Sequence, residues 1–392
     1  MNIFIVSMFY KDKQNAEKAI FVYEQAKALA LRGHNIIVLA VNPTITIMGD
    51  KHEIEYICDN GIHTFYIPFP QSLCSKRDFS DEYLQQYVIY LDHLMRASER
   101  LFGKADVVYA HFSLIAGYAA SILSGKYHYP IVILEHHSRI MTDLLGTHDI
   151  EILTETVKNA DEFICVSSNL KKAVLEKTGI QKKIHVISNM INSSFDFYPR
   201  TRKNTFRFFA LGNLFYRKGF DLLIKAFDEE FTANDSVELI IGGSGPEEMA
   251  LKEQMRKLCN NPHIELVGHL SRAQTIEEYK KCDCFVLASR CESYGLVYRE
   301  AMAVGRPVIT TNHGGFSIEE WRKDFGIMTD VDDMAQLRKA LRAMYENYSS
   351  YDLRVISSSC LKYCSEKEVI DQIESILFFA AKKKKKAIPL YK

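Results

Sequence analysis

Short apolar runs alternate with longer amphipathic stretches along almost the whole chain. Ile3–Val6, Ile36–Ala40, Thr64–Ile67, Val107–Ala110, Ile131–Leu134, Phe163–Val166 and Ile184–Ile187 each read as a buried strand. Between them lie helical segments such as Ala19–Arg32, which ends at Gly33, a residue suited to a helix C-terminus. The polar stretch Tyr198–Thr205 interrupts the pattern and reads as a linker. The alternation then restarts with strands at Phe206–Leu211, Glu238–Ile241, Ile264–Val267, Cys284–Ala288 and Val308–Thr311. Helices are expected at Phe220–Phe227, Glu247–Cys259, Ala273–Lys281 and Leu296–Val304. Strand–helix alternation of this kind predicts parallel sheets with helices on both faces. Ligands of such sheets lie at the carboxyl ends of the strands, here expected in the cleft between two halves.

A length of 392 residues agrees with two domains, and 47% apolar with 25% charged residues is an ordinary globular composition. That excludes a disordered chain and a disulfide miniprotein. Basic and acidic side chains number 49 each, so no overall positive field draws the chain to nucleic acid. Nine cysteines, an odd number in mostly apolar segments, point to a reducing compartment, and Cys282, Cys284 and Cys291 lack the partners of a tetrahedral metal site. The N-terminus enters a strand without the basic start and cleavage site of a signal peptide, so a cytoplasmic protein is expected. Val107–Gly125 is uncharged over a length that would nominally span a bilayer, but its polar residues and glycines favour a strand followed by a short helix.

The segment with the clearest chemistry runs from Glu292 to Gly315. A strand ends at Ala288, a loop carries Glu292, and Gly295 turns the chain into a helix on which Glu300 sits one turn in. Exposed amides at that helix start suit a phosphate, and flanking carboxylates suit sugar hydroxyls. Ordinary helix capping would also account for the acids. The adjacent cations Arg217 and Lys218, before Gly219 and a helix, suit a diphosphate, since Arg binds in two places and Lys supplies a compact charge.

These residues resemble the retaining glycosyltransferases of family 4. The resemblance rests on Glu292-x7-Glu300 with Gly295, Ala301, Gly305, Pro307–Val308 and Gly314–Gly315, on Arg217-Lys218-Gly219, and on Glu135-His136-His137 at a strand end. It implies an α/β fold called GT-B, two Rossmann-like doubly wound domains facing each other across a cleft. The domains are expected at residues 1–200, on the acceptor side, and 201–372, binding the nucleotide sugar, with a helix end and lysine-rich tail at 373–392. The implied reaction moves a sugar from a nucleotide diphosphate donor, a UDP-sugar foremost, to a saccharide hydroxyl, including a lipid-linked one. The implied catalytic set is His136 (or His137), Glu292, Arg217 and Lys218. The donor set adds Gly212, Asn213, Val267, Ser293, Tyr294, Gly295, Leu296 and Glu300, with Glu292 on the sugar hydroxyls and Glu300 on the ribose.

One departure from the family concerns the loop after the first strand, which lacks the usual glycines and instead offers Lys11, Lys13 and Lys18. It motivates an alternative, a non-catalytic subunit that supports a partner enzyme. A dinucleotide-binding dehydrogenase fits poorly, because Gly242-Gly-Ser-Gly-Pro lacks the third glycine of that fingerprint. No cofactor or metal is expected, since Asp330-Val-Asp332-Asp333 directly precedes a helix and reads as its cap. Residues 381–392 hold six lysines and no acid, leaving 43 basic against 49 acidic residues elsewhere. The run Lys382–Lys386 reads either as a solvated tail or as an attachment to an anionic membrane surface, on the inner face of the cell membrane.

Overall fold

The computed structural model of the chain describes residues 1–11, 18–44, 53–70, 79–200, 204–259, 263–316 and 321–387. It forms two compact units, one comprising Met1–Met190 with Lys367–Lys392 and the other Ile191–Glu366. The division falls ten residues before the expected position, and the C-terminal helix belongs with the first unit. The reason is local. The Ile191 amide donates to the Cys364 carbonyl, and Ile191 and Phe195 already pack in the second core.

The first unit carries an eight-stranded sheet ordered β3-β4-β2-β1-β5-β6-β7-β8. Its strands are β1 (Asn2–Ser7), β2 (Asn35–Thr44), β3 (Glu55–Asp59), β4 (Ile62–Pro70), β5 (Val107–His111), β6 (Ile131–Glu135), β7 (Glu162–Cys165) and β8 (His185–Val186). All neighbours pair in parallel except β3 with β4. The near-continuous apolar runs exist because helices cover both sheet faces, so strands such as β5 and β6 are buried at every residue. The helices are α1 (Ile20–Leu31), α2 (Asp81–Phe102), α3 (Tyr118–Tyr127), α4 (Thr147–Asn159) and α5 (Ser168–Thr178). The strand pattern expected from sequence includes Thr64–Ile67, within β4, but not β3, and so misses their hairpin. Its turn, Asn60-Gly61, has positive φ at both residues, the geometry that such a pair favours in a two-residue hairpin.

The second unit carries a six-stranded sheet ordered β11-β10-β9-β12-β13-β14. Its strands are β9 (Phe206–Leu211), β10 (Val237–Gly242), β11 (His263–Gly268), β12 (Cys284–Val286), β13 (Val308–Thr311) and β14 (Gly326–Thr329). Its helices are α6 (Phe220–Glu230), α7 (Glu248–Met255), α8 (Arg272–Lys281), α9 (Leu296–Ala303), α10 (Met334–Asn347) and α11 (Leu353–Cys364). The linker expected at Tyr198–Thr205 is tied down at its start. Arg306, fully buried, donates to the carbonyls of Tyr198, Tyr279 and Lys280 at 2.9–3.0 Å, fastening it to the end of α8.

The last helix, α12 (Glu366–Ala387), packs on the first unit, where Glu374 pairs with Arg32 at 3.0 Å and His34 at 2.6 Å. Among the described residues no helix is long and apolar enough to cross a membrane, and the Val107–Gly125 run is a strand, a single π-helical turn and α3.

Candidate functional site

Each sheet has a point from which the order of its parallel strands runs outwards in opposite directions, between β9 and β12 in the second unit and between β1 and β5 in the first. Loops leaving the carboxyl ends of such strands diverge and open a crevice. In the second unit the loop after β9 carries Arg217 and Lys218, and the loop after β12 carries Glu292. Topology thus brings together residues 74 positions apart. The buried Glu292 carboxylate contacts Lys218 Nζ through Oε1, where the Ser289 hydroxyl also donates at 3.0 Å, and Arg217 Nη1 lies 3.6 Å from Oε2. Burial pushes the Glu292 carboxyl up, but Lys218 and Arg217 outweigh it, and the group lies below the usual carboxylate range.

Close packing sets this geometry. Gly219 has φ of 67°, and a Cβ there would lie 1.9 Å from the Ala288 carbonyl oxygen, so only glycine lets the Arg217-Lys218 turn seat against the end of β12. Gly295, at φ 75°, precedes α9, and a Cβ on it would meet the Tyr298 ring at 2.8 Å. The Glu292 amide donates to the His313 carbonyl at 3.0 Å. His313 is buried over Tyr298, at 5.0 Å between ring centroids, and burial lowers its pKa to about 4, so it is neutral near pH 7.

The remaining donor residues expected from sequence surround this cluster. Gly212 lies beside the Lys218 stem, with a Cβ position 3.6 Å from its Cε, and Asn213 is exposed. Tyr294 is buried with its ring 3.7 Å from the Arg299 guanidinium, Ser293 is half-buried, Leu296 opens α9, and Val267 is half-buried in β11. Glu300 lies on α9 beside Arg272. It forms its own buried group, contacting Arg272 through Oε1 and accepting from the Tyr279 hydroxyl at 3.3 Å through Oε2. Burial raises its pKa and Arg272 opposes the rise. Arg272 also stacks on Phe195 at 4.3 Å. Arg272 has no signal in the sequence, because an arginine at a helix start reads as solvated until a distant carboxylate is folded onto it.

The corresponding break in the first unit centres on two buried histidines. His136 follows β6 and is buried, with its ring parallel to His111 at 5.3 Å and its Nε2 3.0 Å from His111 Nδ1. Burial lowers the pKa of His111 to about 3 and that of His136 well below the usual value, so the pair shares hydrogen bonds as neutral imidazoles. Phe112 takes an unusual positive φ of 69°. Glu135 holds this turn, with its carboxylate accepting from the amides of Ser113 (2.7 Å), His136 (2.7 Å) and His137 (2.5 Å) and from the Ser113 hydroxyl. His137, the alternative to His136, instead caps a short 3-10 turn by accepting from the Arg139 amide at 3.1 Å.

Beside them lies a cavity of about 180 Å³ lined mainly by apolar side chains, among them Phe9, Phe79, Tyr83, Phe112 and Ile115, with Glu135, His137 and Arg139 contributing polar groups. Of the lysines expected to replace a glycine-rich loop, Lys11 is committed to Asp59 at 2.7 Å and to the Tyr23 ring at 3.4 Å. Lys18 begins the next described segment, and Lys13 lies outside the described residues.

The Asp330–Asp333 string is accounted for by protein contacts. Asp333 accepts from the Gln336 amide at 2.8 Å as the cap of α10, and Asp332 pairs with Arg290. Among the described residues no group of three His, Cys, Asp or Glu is arranged to hold a metal ion.

Known proteins match both halves. Residues 194–356 match the family model described as Glycosyl transferases group 1, and residues 19–195 match Glycosyltransferase Family 4. Glycogen synthase of Mycobacterium tuberculosis (strain ATCC 25618 / H37Rv) is 26% identical over 364 residues, covering 88% of this chain and 86% of that protein. The phosphatidylinositol N-acetylglucosaminyltransferase GPI3 subunit of Saccharomyces cerevisiae (strain ATCC 204508 / S288c) is 22% identical over 328 residues, 80% of this chain and 69% of that protein. Sucrose-phosphate synthase from Thermosynechococcus elongatus superposes with a TM-score of 0.77 at 16% identity, covering 97% of this chain and all of that one. Anabaena HepE in complex with UDP and glucose superposes with a TM-score of 0.73 at 17% identity, again over 97% and 100%. These likenesses give the fold.

Proposed function

Because the chain belongs to the group 1 glycosyl transferases of family 4, with the GT-B fold, we propose that it transfers a sugar from a UDP-sugar to a saccharide hydroxyl with retention of anomeric configuration. The observation that carries this reading is the buried Lys218–Glu292 pair with Arg217 beside it at the strand-order break of the second sheet. In the proposed step the bond between the sugar C1 and the β-phosphate oxygen breaks, and its electron pair stays on the leaving diphosphate. The acceptor oxygen bonds to C1 on the same face, and its proton passes to the β-phosphate oxygen. Lys218 and Arg217 stabilise the charge that grows on the diphosphate, a role in which preorganised donors contribute most. They do so without a divalent metal. Glu292 orients the cations and accepts from sugar hydroxyls, Glu300 accepts from the ribose, and the neutral His136 contacts the transferred sugar.

UDP is the nucleotide chosen because solved relatives such as HepE hold it. The presence of Arg217, Lys218, Glu292 and Glu300 together weighs against the alternative of a supporting, non-catalytic subunit, which the loop without glycines motivates. Incubating the protein with UDP-, GDP- and ADP-sugars tests the reading. Release of UDP from a UDP-sugar, unaffected by EDTA, and an α-linked product from an α-linked donor are expected; an inverted product or no release would overturn it.

The acceptor is proposed to be lipid-linked, with the protein working in the cytoplasm at the inner face of the membrane. Phe378 and Phe379 are exposed on α12, one turn before the exposed Lys382 and Lys383, and together they suit an anionic bilayer surface at about 1 kcal/mol per basic residue. Sedimentation with phosphatidylglycerol vesicles should exceed that with phosphatidylcholine and fall for K382E/K383E.

A further inference from the structure

Arg290 lies two residues before Glu292, and it touches three segments of the second unit at once. Its Nη1 and Nη2 donate to the two Asp221 oxygens at 2.9 Å each, a bidentate fork onto the first turn of α6. Nη1 also donates to the Tyr216 carbonyl at 2.5 Å, and the guanidinium stacks on the Tyr216 ring at 3.9 Å. Its Nε donates to Asp332 at 2.7 Å, a residue held at a positive φ of 59° in the loop before α10. The Arg290 main-chain amide donates to the Arg217 carbonyl at 2.7 Å. The side chain is 14% exposed. Tyr216, Arg217 and Lys218 form a single 3-10 turn, so these contacts bracket the two cations, at their own turn and at the helix that follows it.

We propose that Arg290 is a positioning residue for the diphosphate site, fixing the turn that bears Arg217 and Lys218 against the loop that bears Glu292. The proposal rests on the reading that those cations hold the donor diphosphate. Lys218 and Arg217 are long side chains on a three-residue turn, and a turn that short has few backbone bonds of its own to hold it. Its orientation must come from outside. The planar fork of arginine satisfies two carboxylate oxygens and a carbonyl in one plane while its face stacks on Tyr216, and a lysine ammonium has neither the fork nor the face. The guanidinium is already engaged on every nitrogen, so it acts through the turn and is not itself a phosphate ligand. Asp332 takes part in the same clamp, which gives the acidic string before α10 a role that needs no metal.

Calorimetric titration with UDP and, separately, with uridine tests the assignment, using the full-length protein and the variants Arg290→Met, Arg290→Lys, Asp221→Asn and Lys218→Ala. A displaced cation turn weakens only the diphosphate part of the ligand. The expected result for Arg290→Met is a loss of about tenfold in UDP affinity, of the size that a small misplacement of binding groups produces, with uridine affinity within about twofold of the wild type. Arg290→Lys should lose nearly as much, because charge without the fork does not hold the turn. Asp221→Asn keeps Arg290 in place and weakens one arm, so it should fall between wild type and Arg290→Met, and it serves if Arg290→Met fails to fold. UDP affinity unchanged in Arg290→Met, Arg290→Lys and Asp221→Asn while Lys218→Ala loses it would overturn the clamp and leave the diphosphate site standing. Equal losses for UDP and uridine would make Arg290 merely structural. UDP affinity unchanged in Lys218→Ala would instead refute the reading of the cations on which the proposal rests.

Discussion

At the strand-order break of the second sheet a buried carboxylate faces two cations, whereas at the break of the first sheet two neutral imidazoles stack beside an apolar cavity. Both places are made by the same device, parallel strands whose loops diverge where the order reverses. Their chemistry differs because burial acts on different groups. In the second unit Lys218 and Arg217 overcome burial and keep Glu292 ionised, so the site holds charge ready for an anion. In the first, burial dominates at His111 and His136, which are neutral and offer hydrogen bonds. The break in the second sheet is thereby suited to the anionic part of a donor. Fold alone does not make that difference; the choice of side chains at two equivalent positions does.

The contrast can be broken most severely at Lys218. Replacing it by alanine removes a charge aimed at the leaving diphosphate and strands Glu292, and kcat/KM should fall by about 10²–10³, as for loss of one preorganised donor. The His136→Ala change, which removes a neutral hydrogen-bonding group, should cost about tenfold, less than a proton-transferring side chain contributes. Equal losses in steady-state assays would erase the distinction between the two units.

A second test asks whether the charged break depends on close packing. Gly219→Ala puts a methyl group where the Ala288 carbonyl already stands and at a φ that alanine resists. Destabilisation of about 2–4 kcal/mol is expected, read as a lower midpoint in urea with an unchanged slope. A stability within about 0.5 kcal/mol of the wild type, the range of neutral surface changes, would mean the turn is free to shift.

The smallest effect sharpens the role of Glu300. Burial already raises its pKa, and Arg272 holds the rise in check. A carboxylate accepts ribose hydroxyl bonds more strongly when ionised, and that advantage is lost as pH falls through its pKa. Arg272→Gln therefore moves the acid limb of UDP binding to higher pH. An unmoved limb in a pH series of titrations would take Glu300 out of the ribose site.

Much of this architecture is legible in the sequence because parallel strands covered on both faces must be apolar throughout, so β1, β5, β6 and β9 announce themselves. The edges are harder to read. The strand β3 is largely exposed and lacks that run, although Asn60-Gly61 is a sufficient hairpin signal, and β14 is only four residues long. In the site, Arg217, Lys218 and Glu292 are recoverable from local motifs, since each sits in a short segment whose glycine and helix start carry the meaning. Arg272 with Glu300, Arg290 with Asp221, and His111 with His136 are partnerships between segments 25–69 residues apart. Topology makes them, and no local pattern records them.

The diphosphate is proposed to bind at the second unit and not at the first. The most direct test is the UDP dissociation constant, measured by calorimetry on Lys218→Ala and His136→Ala side by side with the wild type. The account predicts a loss of about thirtyfold for Lys218→Ala, roughly 2 kcal/mol, and no more than about twofold for His136→Ala. A loss confined to His136→Ala, or UDP binding untouched by Lys218→Ala, would contradict it.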